Sequence, residues 1–246
     1  FTINYKGKIM FNETHLKELN EISAKFVSQD FVGSSPLSWM MYIKKNLPNI
    51  ELDKQKFSSD TLNREKLYTM SSNSSLSNLD FSVNVLSWGG MRRTHGVSCL
   101  DNFSDWEPLI EKLRSGSINR SEAYLDFSFI RKSGKLKGMG PAFFTKLIFF
   151  GHPDHNGFIM DQWTARSINL LLDTQLVKMI SQKNGSSSVS DFNNEMVYEK
   201  FCISIEDLTL KINNINDPKI IEEIIFSNGG RGEKKGDWRR YLLQQT

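Results

Sequence analysis

The sequence has few cysteines and no long apolar run, and each shortage excludes a class of protein. Cys99 and Cys202 are the only cysteines among 246 residues. Two are too few for a disulfide framework or for an iron–sulfur cluster held by four cysteines. The longest apolar stretch, residues 142–150, is interrupted by Thr145 and Lys146 and is far too short to cross a bilayer. We therefore expect a protein of the reducing cytoplasm that does not bind a membrane.

Net charge is also small. The chain carries 31 Lys and Arg against 28 Asp and Glu, which gives +3 at neutral pH. Binding to nucleic acid would therefore need a local basic patch rather than a globally basic protein. The length allows one large domain or two small ones that share an interface.

Helix-start signals recur along the chain, whereas strand signals are few. Ser35 precedes Pro36 as a cap before a first-turn proline, and residues 104–107 have the pattern of a capping box. Short extended segments are predicted at residues 2–10 and 83–86. The protein is predicted to be mainly all-α, with about ten short helices. Further cap candidates are Asn119, Asp161, Asp217 and Asp237.

The most informative segment is Gly138-Met139-Gly140-Pro141. Glycines at both ends of a tight turn are expected to supply backbone angles that other residues resist. Pro141 suits the first position of a helix, where its missing N–H costs nothing. Amide groups at such a helix start can bind a phosphate, and Lys135 and Lys137 lie just before them. These residues predict contacts to a nucleic-acid backbone.

Residues 136–140 resemble the hairpin of helix-hairpin-helix DNA-binding proteins. Asp161 follows Gly140 by 21 residues, a spacing that matches the helix-hairpin-helix DNA glycosylase superfamily. Residues 140–147 and 158–166 are similar to the bacterial branch often labelled 8-oxoguanine-DNA-glycosylase-like. The resemblance covers roughly Ser121 to Leu172, and the cysteine count separates the chain from the cluster-bearing members.

The resemblance implies two helical lobes with a base pocket in the cleft between them. On this plan residues 1–85 and 161–246 form the terminal-segment lobe, and residues 86–160 form the central lobe with the hairpin. It further implies a bacterial, cytoplasmic, DNA-associated protein. Its partner would be double-stranded DNA containing a modified base, with no cofactor and no protein partner.

Asp161 is the candidate catalytic carboxylate. Cleavage of an N-glycosidic bond drives positive charge onto the sugar, which a fixed carboxylate stabilises while it orients or deprotonates a water. The alternative is that Asp161 only caps the helix beginning at Gln162. One residue could do both.

Lys146 is the second candidate. Bifunctional members of the superfamily carry a Schiff-base lysine two residues after the second hairpin glycine, where this chain has Ala142. Lys146 lies four residues further and therefore on the same helix face. Among apolar neighbours it could have a lowered pKa and act as a nucleophile. Alternatively its stem packs while its ammonium pairs with a carboxylate. We expect a mainly monofunctional enzyme in which Lys146 lines the pocket.

A base that leaves the duplex needs aromatic partners. Ordinary core packing is the alternative for these rings, and a solvated loop is the alternative for the arginines near residue 92. A mobile basic loop is predicted at residues 229–236, and His152 to His155 is interpreted as a solvated loop, with no metal. The candidates for the base pocket are Trp88, Phe144, Trp163 and Trp238. The candidates for DNA binding are Lys135, Lys137, Gly138, Gly140, Arg92, Arg93 and Arg166.

The predicted function is therefore that of a DNA glycosylase that flips a modified base and releases it. Oxidised guanine is the default substrate. A hypermodified phage base, such as a glucosylated cytosine, is the second, because an abundance of Asn, Lys and Ile suits an AT-rich genome and mildly favours anti-phage defence. The alternative is a non-catalytic helix-hairpin-helix DNA-binding module.

Overall fold

Short helices build nearly all of the protein. The computed structural model describes residues 9–28, 33–181, 187–226 and 236–245. These residues form twelve α-helices and one antiparallel pair of three-residue strands, which confirms the mainly all-α prediction. The helices are α1 (Glu13–Ser23), α2 (Pro36–Asn46), α3 (Arg64–Ser71), α4 (Asn78–Trp88), α5 (Arg93–Leu100), α6 (Glu107–Arg114), α7 (Arg120–Lys132), α8 (Pro141–Gly151), α9 (Gln162–Leu171), α10 (Glu195–Thr209), α11 (Pro218–Phe226) and α12 (Asp237–Gln244). The strands are β1 (Met179–Ser181) and β2 (Ser187–Val189).

Local caps determine where many helices begin. Ser35 accepts a hydrogen bond from the amide of Ser38 before Pro36 starts α2, as predicted. Asn119 and Glu122 close a reciprocal capping box at the start of α7. A capping side chain accepts bonds from amides that the helix cannot use itself.

Three sequence predictions about local structure are wrong. Residues 83–86 lie within α4 rather than in a strand, because a continuous apolar run suits a buried helix as well as a buried strand. Residues 103–105 form a 3₁₀ turn, and α6 starts after Trp106 without a side-chain cap. Asp237 is the first residue of α12, and Gly236 takes the capping position. The predicted segments at 2–10 and 229–236 lie almost wholly outside the described residues.

Helix α8 lies at the centre of the fold. Its residues from Phe144 to Gly151 are all buried, and α3, α4, α6 and α7 pack around it. The only charged side chain in this helix is that of Lys146. Within the described ranges, no helix is both long enough and apolar enough to span a membrane.

The terminal helices form a second group, in which α9 contacts α1, α10, α11 and α12, and α10 also contacts α7. The predicted lobe boundary at residue 85 falls inside α4. Helices α2 and α3 pack against α4, which crosses the predicted boundary, and against α5 and α8 of the central segment. The two-lobe division stays a prediction, and these contacts favour a boundary before α2.

The hairpin between α7 and α8 needs glycine at one of its two predicted positions. Gly138 has φ +78°, in the left-handed region. A Cβ there would also lie 2.9 Å from the carbonyl oxygen of His95. Gly140 has φ −95°, which any residue adopts, so the expectation of a special backbone angle at Gly140 is wrong.

Gly138→Ala should therefore lower the free energy of unfolding by at least about 1–2 kcal/mol, the usual cost of a left-handed non-glycine residue. Gly140→Ala is the matched control. The nearest atoms to its new Cβ would be 3.8 Å away, so we expect a change within about 0.5 kcal/mol. Urea denaturation of the two variants measures the difference. Equal losses would contradict the distinction between the two positions.

Candidate active site and DNA-binding hairpin

Asp161 caps α9 through one of its two carboxylate oxygens. Its Oδ1 accepts hydrogen bonds from the amides of Trp163 at 2.7 Å and Thr164 at 3.1 Å. The Asp161 amide in turn donates to the Thr164 hydroxyl at 3.0 Å, which completes a capping box. Because both amides use Oδ1, the cap does not require Oδ2. Capping and catalysis are thus compatible in this one residue, and its catalytic role stays a prediction.

The segment before Asp161 is tied to α8. The amide of Met160 donates to the Thr145 hydroxyl at 3.1 Å. The Thr164 hydroxyl donates to the carbonyl oxygen of Ile159 at 2.7 Å. Thr145 is the neighbour of Lys146 in sequence, so these bonds hold the start of α9 beside the lysine.

Lys146 is buried with its ammonium inside the protein. The residue is 3% exposed, and its Nζ donates to the carbonyl oxygen of Ala142 at 2.6 Å. Burial lowers its pKa, while the negative charges of Asp161 and Glu222 act in the opposite direction. Lys146 therefore lies close enough to Asp161 for the charges of the two side chains to interact. Its ammonium is bonded to a backbone carbonyl, which differs from the carboxylate pairing of the second interpretation.

A glycine makes room for this lysine. A Cβ at Gly89 would lie 2.7 Å from Cδ of Lys146 and 3.2 Å from its Cε. Both distances are shorter than ordinary van der Waals contact. The Trp88-Gly89 turn at the end of α4 therefore forms one wall of the space that the lysine stem fills.

Two charged residues near this site were not identified from the sequence. Arg64 Nη1 and Glu222 Oε2 are 2.5 Å apart, and the Glu222 side chain is 0% exposed. Burial raises the pKa of Glu222, and the adjacent Arg64 guanidinium opposes that rise. A signal for Glu222 exists in the sequence of α11, because it lies three and four residues before the buried Ile225 and Phe226. Arg64 has the same spacing in α3, because it lies three residues before buried Leu67 and four before partly buried Tyr68.

Three of the four predicted pocket aromatics are core residues. Trp88, Phe144 and Trp238 are each at most 1% exposed. Phe144 stacks on Phe127 at 5.3 Å between ring centroids, and Trp238 Nε1 donates to the Ser167 hydroxyl at 2.8 Å. This burial favours the core-packing alternative, and a role in the pocket stays a prediction for these three.

Trp163 is placed differently, in the first turn of α9 beside Asp161. It is partly buried. The guanidinium of Arg239 lies 4.1 Å from the centroid of its ring, and that of Arg166 lies 5.4 Å away. Trp163 is therefore the candidate aromatic with the most direct access to the Asp161 site.

The hairpin and the start of α5 lie against each other, since Gly138 approaches the backbone of His95. This brings exposed Lys137 to the neighbourhood of exposed Arg92 and Arg93, three of the predicted DNA-binding residues. Arg93 donates to the Ser38 hydroxyl at 3.0 Å. The contact between His95 and Gly138, which are 43 positions apart in the chain, thus brings two basic segments together.

Lys135 is less available than predicted. Its ammonium pairs with the Asp105 carboxylate at 2.7 Å. Both side chains are partly exposed, so the pair is weak and open to competition from a phosphate. Among the predicted hairpin lysines, Lys137 is thus the more accessible cation.

Arg131 holds the hairpin in shape and was not identified from the sequence. Its Nη1 donates to the carbonyl oxygens of Met139 at 2.9 Å and Leu136 at 3.3 Å. Its Nε and Nη2 each donate to the Asp191 carboxylate at 2.7 Å. A cavity of about 240 Å³ beside this arginine is lined in part by Lys132 and Lys137. The binding of a phosphate by the amides of this hairpin stays a prediction.

In the His152 to His155 loop, a ring nitrogen of each histidine makes a hydrogen bond to a nearby backbone group. The amide of Asp154 donates to Nδ1 of His152 at 3.1 Å, and His155 Nδ1 lies 3.0 Å from the carbonyl oxygen of Phe149. Within the described part of the chain, no three His, Cys, Asp or Glu side chains converge on a possible metal position.

Residues 26–226 match the protein family described as "Putative 8-oxoguanine DNA glycosylase OGG-like protein". The chain belongs to this family. The match spans the hairpin, Lys146, Asp161 and the Arg64–Glu222 pair. Neither a curated protein nor a solved structure matches the chain. Membership in the OGG-like family indicates a DNA glycosylase whose partner is DNA.

The burial of Lys146 should be visible in the pH dependence of stability. Because its pKa is lower in the folded than in the unfolded chain, the unfolded chain binds the proton more tightly. The free energy of unfolding should therefore rise as pH increases from the folded-state pKa towards 10.5. Urea denaturation between neutral pH and about pH 10 measures this rise.

Lys146→Met should remove that rise, whereas the matched change Lys137→Met, at an exposed position, should leave it in place. A rise that persists in Lys146→Met would assign the pH dependence to another group.

Proposed function

We propose that the protein is a DNA glycosylase that extrudes a modified base and hydrolyses its N-glycosidic bond, with Asp161 as the catalytic carboxylate. One observation carries this proposal: Asp161 is fixed at a helix start beside the buried Lys146 while its Oδ2 is not needed for the cap. The hairpin supplies the DNA contacts at the expected distance along the chain. Membership in the OGG-like family supports the same activity.

In the proposed reaction the bond between C1′ and the base nitrogen breaks, and the base leaves with the bonding electrons. Positive charge develops on the sugar, and the Asp161 carboxylate stabilises it. A water adds to C1′ and gives its proton to Asp161, while the released base gains a proton. The product is an intact strand with an abasic site. The fixed orientation of Asp161 by two amides and a hydroxyl means that little reorganisation is needed during the reaction.

Lys146 shapes the pocket in this mechanism rather than attacking the sugar. Ala142 occupies the position at which bifunctional relatives carry their lysine. The Lys146 ammonium is bonded to the carbonyl oxygen of Ala142, one turn back along α8. A nucleophilic role would require that bond to break and the side chain to leave its buried position. We therefore propose a mainly monofunctional enzyme with at most slow lyase activity.

The proposed substrates are an oxidised guanine or a hypermodified cytosine. Oxidised guanine agrees with the description of the matching family. A glucosylated phage cytosine would make the protein an anti-phage enzyme acting in a bacterial cytoplasm. A panel of duplexes, each with one candidate base, incubated with protein and then treated with alkali, distinguishes these substrates. Binding without cleavage of any duplex in the panel would support the non-catalytic alternative.

Asp161→Asn should abolish base release while leaving DNA affinity equal or higher. Loss of one preorganised electrostatic group reduces a rate by about 10²–10³-fold. Asn is a good cap, so the start of α9 should persist. The measurement is single-turnover base release together with binding to the same duplex. Retention of more than about a tenth of the wild-type rate would exclude Asp161 as the catalytic group.

Borohydride trapping tests the monofunctional assignment. A Schiff base between a lysine and the sugar is reduced to a stable covalent complex, so a monofunctional enzyme should give little trapped product. Lys146→Ala should leave this low level unchanged. Efficient trapping of the wild-type protein that is lost in Lys146→Ala would make Lys146 the nucleophile and overturn the assignment.

A further inference from the structure

The Arg64–Glu222 pair has one unmet hydrogen-bonding atom on each partner. The single bond between them joins Nη1 to Oε2. Nη2 of Arg64 and Oε1 of Glu222 are both buried without a hydrogen-bond partner. The pair therefore presents one donor and one acceptor that the described part of the protein does not use.

Aromatic rings surround the arginine. Its guanidinium carbon lies 5.5 Å from the ring centroid of Trp88 and 5.7 Å from those of Phe149 and Phe226. Burial raises the pKa of the nearby Tyr68 to about 12, so its phenol stays neutral at physiological pH. Apolar rings around one donor and one acceptor have the composition expected of a site for a planar ligand with a polar edge.

The Arg64–Glu222 pair lies close to the proposed active site. Phe149 is three residues after Lys146 on α8, and therefore on a neighbouring face of the same helix. Trp88 precedes Gly89, which is in contact distance of the lysine stem. Glu222 and Asp161 both act on the charge of Lys146, which places the pair within electrostatic range of the catalytic carboxylate.

A purely structural role does not account for the unmet atoms. A buried ion pair usually gives no more stability than apolar residues of similar size. Each unsatisfied buried donor or acceptor adds a further cost of desolvation. An unsatisfied buried donor or acceptor calls for an explanation, and a ligand that completes the hydrogen bonding supplies one.

We propose that Arg64 and Glu222 recognise the edge of the extruded base, with Glu222 Oε1 accepting from a base N–H and Arg64 Nη2 donating to an adjacent acceptor. This inference rests on the proposed glycosylase function. Oxidised guanine offers such an edge through a ring N–H beside a carbonyl, and cytosine derivatives offer it through the amino group beside a ring nitrogen. The shared chemistry is an adjacent donor and acceptor on a planar base.

Glu222→Gln tests the acceptor. The amide oxygen of glutamine is needed by Arg64 Nη1, so its NH₂ group takes the place of Oε1 and meets the base N–H with a second donor. The measurement uses the Asp161→Asn protein, which does not release the base. Its affinity is determined for duplexes with one 8-oxoguanine or one glucosylated hydroxymethylcytosine, and for matched unmodified duplexes.

We expect Glu222→Gln to reduce the preference for the recognised modified duplex by about 10- to 100-fold, the usual effect of one hydrogen bond to a charged group. Affinity for unmodified duplexes should not change. Glu223→Gln, the same charge change at the next residue, should preserve the preference. The modified duplex whose higher affinity is lost in Glu222→Gln contains the base that the pair recognises.

An equal loss on all duplexes, or a preference unchanged by Glu222→Gln, would overturn the inference and make the pair a structural brace. Absence of any preference in the Asp161→Asn protein would overturn it as well. If Glu222→Gln does not fold by circular dichroism, Arg64→Lys decides, because it keeps the charge and removes Nη2. A preference that depends on Glu222 in a protein whose wild type releases no base would retain this inference and reject the proposed catalysis.

Discussion

The cost of removing charge from water governs the centre of this protein. Helix α8 is buried from Phe144 onwards, and Lys146 is its only charged side chain. Nearby, Glu222 of α11 is fully buried, and the side chain of its partner, Arg64 of α3, is 11% exposed. A buried charge is tolerated only with partners, so these helices have to meet in one arrangement. The need to satisfy these groups links the central and terminal helices to each other and to the proposed active site.

Local features of the structure could be predicted well from the sequence. Caps such as Ser35, Asn119 and Asp161 bond to amides within three residues, so a short sequence pattern is enough to predict them. The need for glycine at residue 138 likewise follows from a tight turn before Pro141. The mainly helical class follows from many such signals together. The prediction of a special backbone angle at Gly140 is wrong because that angle depends on how the whole turn closes, which a short pattern does not show.

Features that depend on tertiary packing could not be predicted in this way. The pairing of Arg64 with Glu222 joins residues 158 positions apart, and helical spacing does not show which charged side chain pairs with which. The depth of Trp88 and Trp238 in the core depends on which helices cover them. Arg131 is oriented towards the hairpin carbonyls by Asp191, a residue 60 positions further along the chain. The extended segment predicted at residues 83–86 failed because burial on all sides removes the periodicity that distinguishes strand from helix.

The close fit between Gly89 and the stem of Lys146 has an evolutionary consequence. A single methyl group at residue 89 would occupy space that the lysine now fills. The far end of a lysine is flexible, so the side chain would turn outwards more readily than the backbone would shift. One nucleotide change in the glycine codon, to alanine, would therefore be enough to displace the Lys146 amine from the Ala142 carbonyl oxygen that it now contacts.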